Sequence, residues 1–106
     1  MLLGSNPAIT SAGCGPKLER ALDQLDLFFS IDLYVNETNR FADYVLPATT
    51  MFEREDYPLL GQTVMLRPSV FATPAVIEPL GEAKEEWQIL DDICRHMGMG
   101  GAQPNK

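Results

Sequence analysis

Between Leu27 and Pro47 two apolar runs flank a short polar turn, and each run meets a carboxylate. Leu27-Phe28-Phe29-Ser30-Ile31 ends on Asp32, and Tyr44-Val45-Leu46-Pro47 is entered through Asp43. Runs of this length and composition read as strands, and the segment between them as a loop with a short helix over Asn36 to Ala42. Asn36 suits the cap of that helix. Leu27 to Ile31 is continuous rather than alternating, the pattern of a parallel strand covered on both faces. Ligands of open α/β sheets bind outside the carboxyl ends of the strands, so Asp32 and the Asn36–Asn39 turn fall where a nucleotide is read. Pro47 closes the second strand, where its missing N–H is tolerated.

The remainder of the chain fits around this unit. Met1-Leu2-Leu3 reads as the end of a strand, and so as the start of a piece cut from a longer polypeptide. A turn rich in Gly, Ser, Thr and Pro runs from Gly4 to Gly15. Pro16 then suits a first helical position, and Leu18, Ala21, Leu22 and Leu25 share one helical face. Backbone N–H groups where a loop enters a helix hold phosphate without basic side chains, although Gly4, Gly13 and Gly15 do not make a Gly-x-Gly-x-x-Gly pattern. An ordinary surface turn at Asn6-Pro7 is the competing reading. From Ala48 to Leu60 the chain is polar, and Glu53-Arg54-Glu55-Asp56 reads as a solvated charge run. Thr63 to Leu66, Ser69 to Phe71 and Ala75 to Ile77 read as short extended segments, confined to edges or arms by Pro68, Pro74 and Pro79. Glu82 to Met97 is the clearest helix, with Trp87, Leu90, Ile93, Cys94 and Met97 on its apolar face and Gly98 to end it. His96 lies four residues after Asp92, which predicts a pair at the helix end rather than a metal or catalytic role.

Charge and length narrow the function classes. Fifteen acids against eight bases in 106 residues give a net charge of −7, which opposes binding to nucleic acid or an anionic membrane. No apolar run approaches the roughly 18 residues of a membrane span, and Met1-Leu2-Leu3 lacks the features of a signal peptide, so the expected setting is cytoplasmic. Cys14 and Cys94 read as free thiols. No cysteine cluster, His-Glu-x-x-His helix, Walker loop or supported Ser-His-Asp set occurs, and the sequence offers no catalytic or metal-ligating constellation.

An Asp at a strand end, a Thr six residues on, then Ala42-Asp43 and Val45-Leu46-Pro47 make a pattern that resembles the molybdopterin oxidoreductases, the dimethyl sulfoxide reductase and formate dehydrogenase superfamily. Gly4-Ser5-Asn6-Pro7-Ala8 is similar to the family's Gly-x-Asn-Pro loop. Gly81-Glu82-Ala83-Lys84 through Trp87-Gln88-Ile89-Leu90 is similar to the helix that follows. The resemblance is collinear over about residues 4 to 98. It implies that Gly4, Ser5, Asn6 and Pro7 lie against a molybdopterin guanine dinucleotide, with Thr38 and Asp43 as further contacts. For Asp32 it implies a nucleotide-reading role, because a carboxylate accepts from guanine's N1–H and exocyclic amine or from ribose hydroxyls. The alternative for Asp32 is a bond to nearby backbone N–H groups that shapes the turn. For Thr38 the alternative is a helix-start residue in the segment from Asn36 to Ala42, and for Asp43 an ion pair with a residue such as Arg40. Where many family members carry an Asn and a Gly-Arg-x-Gln motif, this chain has Tyr57-Pro58-Leu59-Leu60-Gly61-Gln62, so Gln62 and Arg67 are not carried over.

The expected fold is therefore α/β, a three-layer αβα Rossmann-like domain with a short parallel sheet, as a fragment of a larger enzyme. Residues 1–98 form the cofactor-binding part and residues 99–106 a tail or severed linker. The expected function is to bind and orient one molybdopterin guanine dinucleotide, carrying molybdenum or tungsten, within a full-length oxidoreductase; the chain alone is not expected to turn over. The expected partners are the other domains of that enzyme and its electron-transfer subunits. Two alternatives stand beside this reading: a non-catalytic scaffold of an iron-sulfur electron-transfer subunit, and a nucleotide-binding α/β domain of another enzyme.

Overall fold

The computed structural model describes residues 1–10, 15–57, 64–67 and 69–101. Their elements are β1 (Leu2–Leu3), α1 (Pro7–Thr10), α2 (Gly15–Leu22), β2 (Phe29–Asp32), a 3₁₀ turn (Asn39–Phe41), β3 (Tyr44–Pro47) and α3 (Glu86–His96). Expectations for Gly13, Cys14, Gln62, Pro68 and the tail from residue 102 onward lie outside the described residues.

The three strands form one parallel sheet in the order β1-β2-β3. Leu3 stands opposite Ile31, Ile31 opposite Leu46, and Asp32 opposite Pro47. Ser30 and Ile31 are consecutive, so they face opposite sides of the sheet. Both are fully buried, which makes β2 the central strand covered on both faces that its continuous, non-alternating run predicts. The arrangement is that of a fragment of an αβα domain.

On one face Ile31, Ala48 and Ile89 form the core, with Leu46, Leu90 and Ile93 packed against it. Positions 89, 90 and 93 lie within one helical stripe, so α3 meets the sheet there. The apolar face expected of this helix is thereby shifted. Trp87 and Met97 stay 45% and 71% exposed, and the Trp87 indole N–H donates to Glu85. Ile89, absent from the expected face, is the residue that α3 buries most deeply among its apolar side chains. The helix starts at Glu86 rather than at Glu82, because Glu85 is still extended. It ends as expected, with Gly98 at φ +74. The Gly98 N–H donates to the Arg95 carbonyl and the Met99 N–H to the Cys94 carbonyl, the paired bonds of a Schellman motif.

Other local expectations resolve differently. A helical turn, α1, forms inside the first loop, with Pro7 at its first position. Residues 69–77 add no strand to the sheet; Asp56 and Thr73 form an isolated bridge, and the Val76 and Ile77 N–H groups both donate to the Phe52 carbonyl. Arg40 pairs with Glu19 instead of Asp43. His96 does reach Asp92, but at its backbone carbonyl, because the Asp92 carboxylate is taken by Lys84.

Candidate functional site

Asp32 ends β2, and the loop after β1 arrives beside it because the Gly4 N–H donates to the Ile31 carbonyl at 2.9 Å. Gly4 sits at φ +50, a left-handed conformation that lets the chain leave the strand sharply. The loop it begins is held to the Leu33–Asn39 loop by side chains. Thr38 Oγ1 donates to Asn6 Oδ1 at 2.7 Å and accepts the Ala8 N–H at 3.0 Å. Asn6 Nδ2 donates to Glu37 at 2.6 Å, and Asn36 Nδ2 reaches the Ser5 carbonyl at 3.5 Å. The bond from Asn6 is the main reason the Glu37 carboxyl is held below the usual carboxylate range. Thr38 thus caps a donor of α1 from across the site rather than from its own turn, and it is only 1% exposed.

Within the second loop, Asn36 Oδ1 accepts the N–H groups of Thr38 and Asn39, each at 3.0 Å, and so caps the turn as expected, but the helix itself is shorter than expected, a 3₁₀ turn that starts at Asn39 with Thr38 at its N-cap position. Asn39 is fully buried and uses both ends of its amide. Its Oδ1 accepts the Asn36 N–H at 2.7 Å, and its Nδ2 donates to the Tyr34 carbonyl at 2.9 Å and to Asp32 Oδ2 at 3.2 Å. Asp32 Oδ2 also accepts Asn36 Nδ2 at 3.1 Å, and Oδ1 accepts the Leu33 N–H at 2.8 Å. The turn-shaping reading of Asp32 is therefore present in the structure. A carboxylate has about four acceptor positions, so roughly one stays open, on Oδ1.

The structure gathers Gly4, Ser5, Asn6, Pro7, Asp32 and Thr38 at one edge of the sheet. Asp43 is not among them. Its N–H donates to the Phe28 carbonyl at 2.7 Å and its Oδ2 accepts the Phe28 N–H at 2.8 Å, at the entry to β2 and β3. Four residues of strand, about 13 Å, separate that end from Asp32. The strands run parallel, so a residue before β3 and a residue after β2 lie at opposite edges.

Sequence reasoning missed the cleft beside Asp32. Leu33, Tyr34, Thr49, Thr50, Met51, Phe52, Arg54 and Glu86 line a space of about 470 Å³. Thr49 is buried, and its hydroxyl has no hydrogen-bond partner. The charge run at one side of this cleft is not simply solvated. Glu53 accepts the Thr50 N–H and hydroxyl and the Leu80 N–H, which together hold its carboxyl below the usual range, and Arg54 pairs with Glu86. A charged cluster following a strand end was the available signal, because such residues can fold back on the loop that carries them. Among the described residues no group of three or more His, Cys, Asp or Glu side chains is arranged to hold a metal ion. No helix among them is long and apolar enough to cross a membrane.

Fold and site together define a piece of an αβα domain whose Gly4–Ala8 and Asp32–Asn39 loops are interlocked at the carboxyl edge of a parallel sheet. The chain belongs to the molybdopterin oxidoreductase family, whose model matches residues 1–96. It is 35% identical over 91 residues to the molybdopterin-containing subunit of thiosulfate reductase from Salmonella typhimurium, covering 86% of this chain and 12% of that protein. It is also 35% identical over 99 residues to the assimilatory nitrate reductase catalytic subunit of Bacillus subtilis, covering 93% of this chain and 13% of that one. Dimethyl sulfoxide/trimethylamine N-oxide reductase of Rhodobacter capsulatus is 31% identical over 98 residues, with 92% and 12% covered. The chain thus spans about an eighth of the length of these relatives.

Proposed function

We propose that this domain holds and orients the guanine dinucleotide part of a molybdopterin cofactor within a larger oxidoreductase, whose redox chemistry the metal and pterin supply when bound. The observation that carries the reading is the interlocking of the Gly4–Ala8 and Asp32–Asn39 loops at the carboxyl edge of the sheet, in a chain of this family. The donor set suits a nucleotide. Asp32 Oδ1 keeps one acceptor for a base or ribose donor, and the Asn6 amide keeps one hydrogen and one lone pair beyond its bonds to Glu37 and Thr38. A Cβ at Gly4 would meet nothing within 4 Å, so the backbone there is open to a ligand. The adjoining cleft, with Tyr34 and Phe52 on its wall, has the volume of small-ligand sites, roughly 300–1,000 Å³. Asp43 has no part in this site; its carboxylate fastens the opposite edge.

The test is the nucleotide released by mild acid hydrolysis of the intact protein that carries this chain, purified from cells supplied with molybdate. Guanosine monophosphate at near-stoichiometric yield is the expected result. Release of cytidine monophosphate, or of no nucleotide from folded protein, overturns the guanine reading.

A further inference from the structure

We propose that Asn39 is a positioning residue for the nucleotide: it occupies Asp32 Oδ2 and so leaves the open acceptor of Oδ1 as the one the ligand meets. The inference rests on the cofactor reading above and adds a residue to it. Asn39 is fully buried and touches no ligand-facing surface, yet its amide is the point at which three parts of the loop converge. It donates to Asp32 at 3.2 Å and to the Tyr34 carbonyl at 2.9 Å, and it accepts the Asn36 N–H at 2.7 Å. Asn36 also donates to Asp32 Oδ2, but from a half-buried side chain, whereas Asn39 does so from a fully buried one. No salt bridge to Asp32 occurs among the described residues. Charged groups on the surrounding elements are Glu37 on the same loop, bonded to Asn6, and the Arg54–Glu86 pair, which lines the adjoining cleft. Orientation of Asp32 therefore depends on amide donors, and Asn39 is the buried one. Without it, Oδ2 keeps only the bond from Asn36 and gains a vacant acceptor position, so the carboxylate is held less firmly about its terminal torsion, which is broad and two-fold.

The experiment is a double-mutant cycle in the intact cofactor-loaded protein. Asn39→Asp keeps the size of the side chain and replaces its donor toward Asp32 by an acceptor, so two carboxylates face each other. Asp32→Asn removes the charge on the other side. The readout is guanine nucleotide retained per folded protein after gel filtration, with thermal unfolding followed in parallel. Each single variant is expected to retain at least about five-fold less nucleotide, on the scale of one lost hydrogen bond to a charged group. The double variant, in which donor and acceptor are exchanged, is expected to retain no less than Asp32→Asn alone. A merely structural Asn39 predicts additive losses, since its bonds to Tyr34 and Asn36 do not involve Asp32. Additive losses, or wild-type retention in Asn39→Asp, overturn the proposal. If Asn39→Asp does not fold, Asn39→Ser serves in its place, with a smaller loss that must likewise vanish in the Asp32→Asn background. A wild-type protein that carries no guanine nucleotide sinks the cofactor reading and this inference with it; loaded wild-type and normal Asn39 variants sink this inference only.

Discussion

At the residue scale, the site is a set of short polar side chains whose hydrogen bonds are nearly all used within the protein. Asn39→Ala should destabilise the chain by about 1–3 kcal/mol, because it strands the Asn36 N–H and the Tyr34 carbonyl while weakening the hold on Asp32. Urea unfolding at neutral pH measures it; an unchanged midpoint would mean that water replaces the amide at no cost. Two carboxylates give the chain an acid-sensitive component. Glu37 is lowered first by the Asn6 side chain, and Glu53 first by the Thr50 backbone N–H. A depressed folded-state value contributes stability above the unfolded carboxylate value of about 4.3, and that contribution is lost as pH falls through the lower folded value. The urea midpoint should therefore fall between pH 6 and pH 3, and Glu37→Gln with Glu53→Gln should flatten the fall. Glu37 is solvent-exposed and Glu53 only half-buried, so the change is modest.

At the element scale, the connections between elements decide where the side chains arrive. A Cβ at Gly15 would meet the Ala8 carbonyl oxygen at 2.9 Å, closer than side chains tolerate, so α1 and α2 depend on that glycine to approach each other. Gly15→Ala should shift α1 and loosen the contact from the Ala8 N–H to Thr38, which slowed or hastened amide exchange at Ala8 would report; faster exchange is the expected outcome. The strand Phe29–Asp32 and the helix Glu86–His96 are joined through Ile89, in a core with few other fully buried apolar side chains among the described residues. Ile89→Ala should cost about 2–4 kcal/mol, measured by the same unfolding experiment. A cost below about 1 kcal/mol would show that α3 is held mainly by its ion pairs, Lys84–Asp92 and Arg54–Glu86.

At the scale of the whole molecule, the chain is more extended than a self-sufficient domain of its length. Its radius of gyration is 16.7 Å, against about 13 Å for a compact domain of this size. Leu33, Tyr34, Met51 and Phe52 are all largely exposed around a single cleft. Apolar surface gathered in one place marks a site of contact with something else. The isolated chain should bind a hydrophobic dye there, and Phe52→Ser should cut the fluorescence; equal fluorescence from the variant would place the dye elsewhere.

The run Leu27–Ile31 pointed by itself to β2 as a buried central strand, because a stretch that does not alternate apolar and polar residues has no solvent face; its one polar member, Ser30, is buried with the rest. The Gly4–Pro7 loop, the cap at Asn36 and the glycine stop at Gly98 were equally legible, since each is a local backbone requirement met by a residue type suited to it. Tertiary structure alone decided three further matters. It separated Asp43 from Asp32, because parallel strand direction places the start of one strand and the end of its neighbour at opposite edges. It rotated the buried face of α3 toward Ile89, because the docking of a helix depends on the surface it meets as well as on its own periodicity. It also made Thr38, Asn6 and Glu37 partners across some thirty residues, since a hydrogen bond between distant loops leaves no trace in the spacing of either.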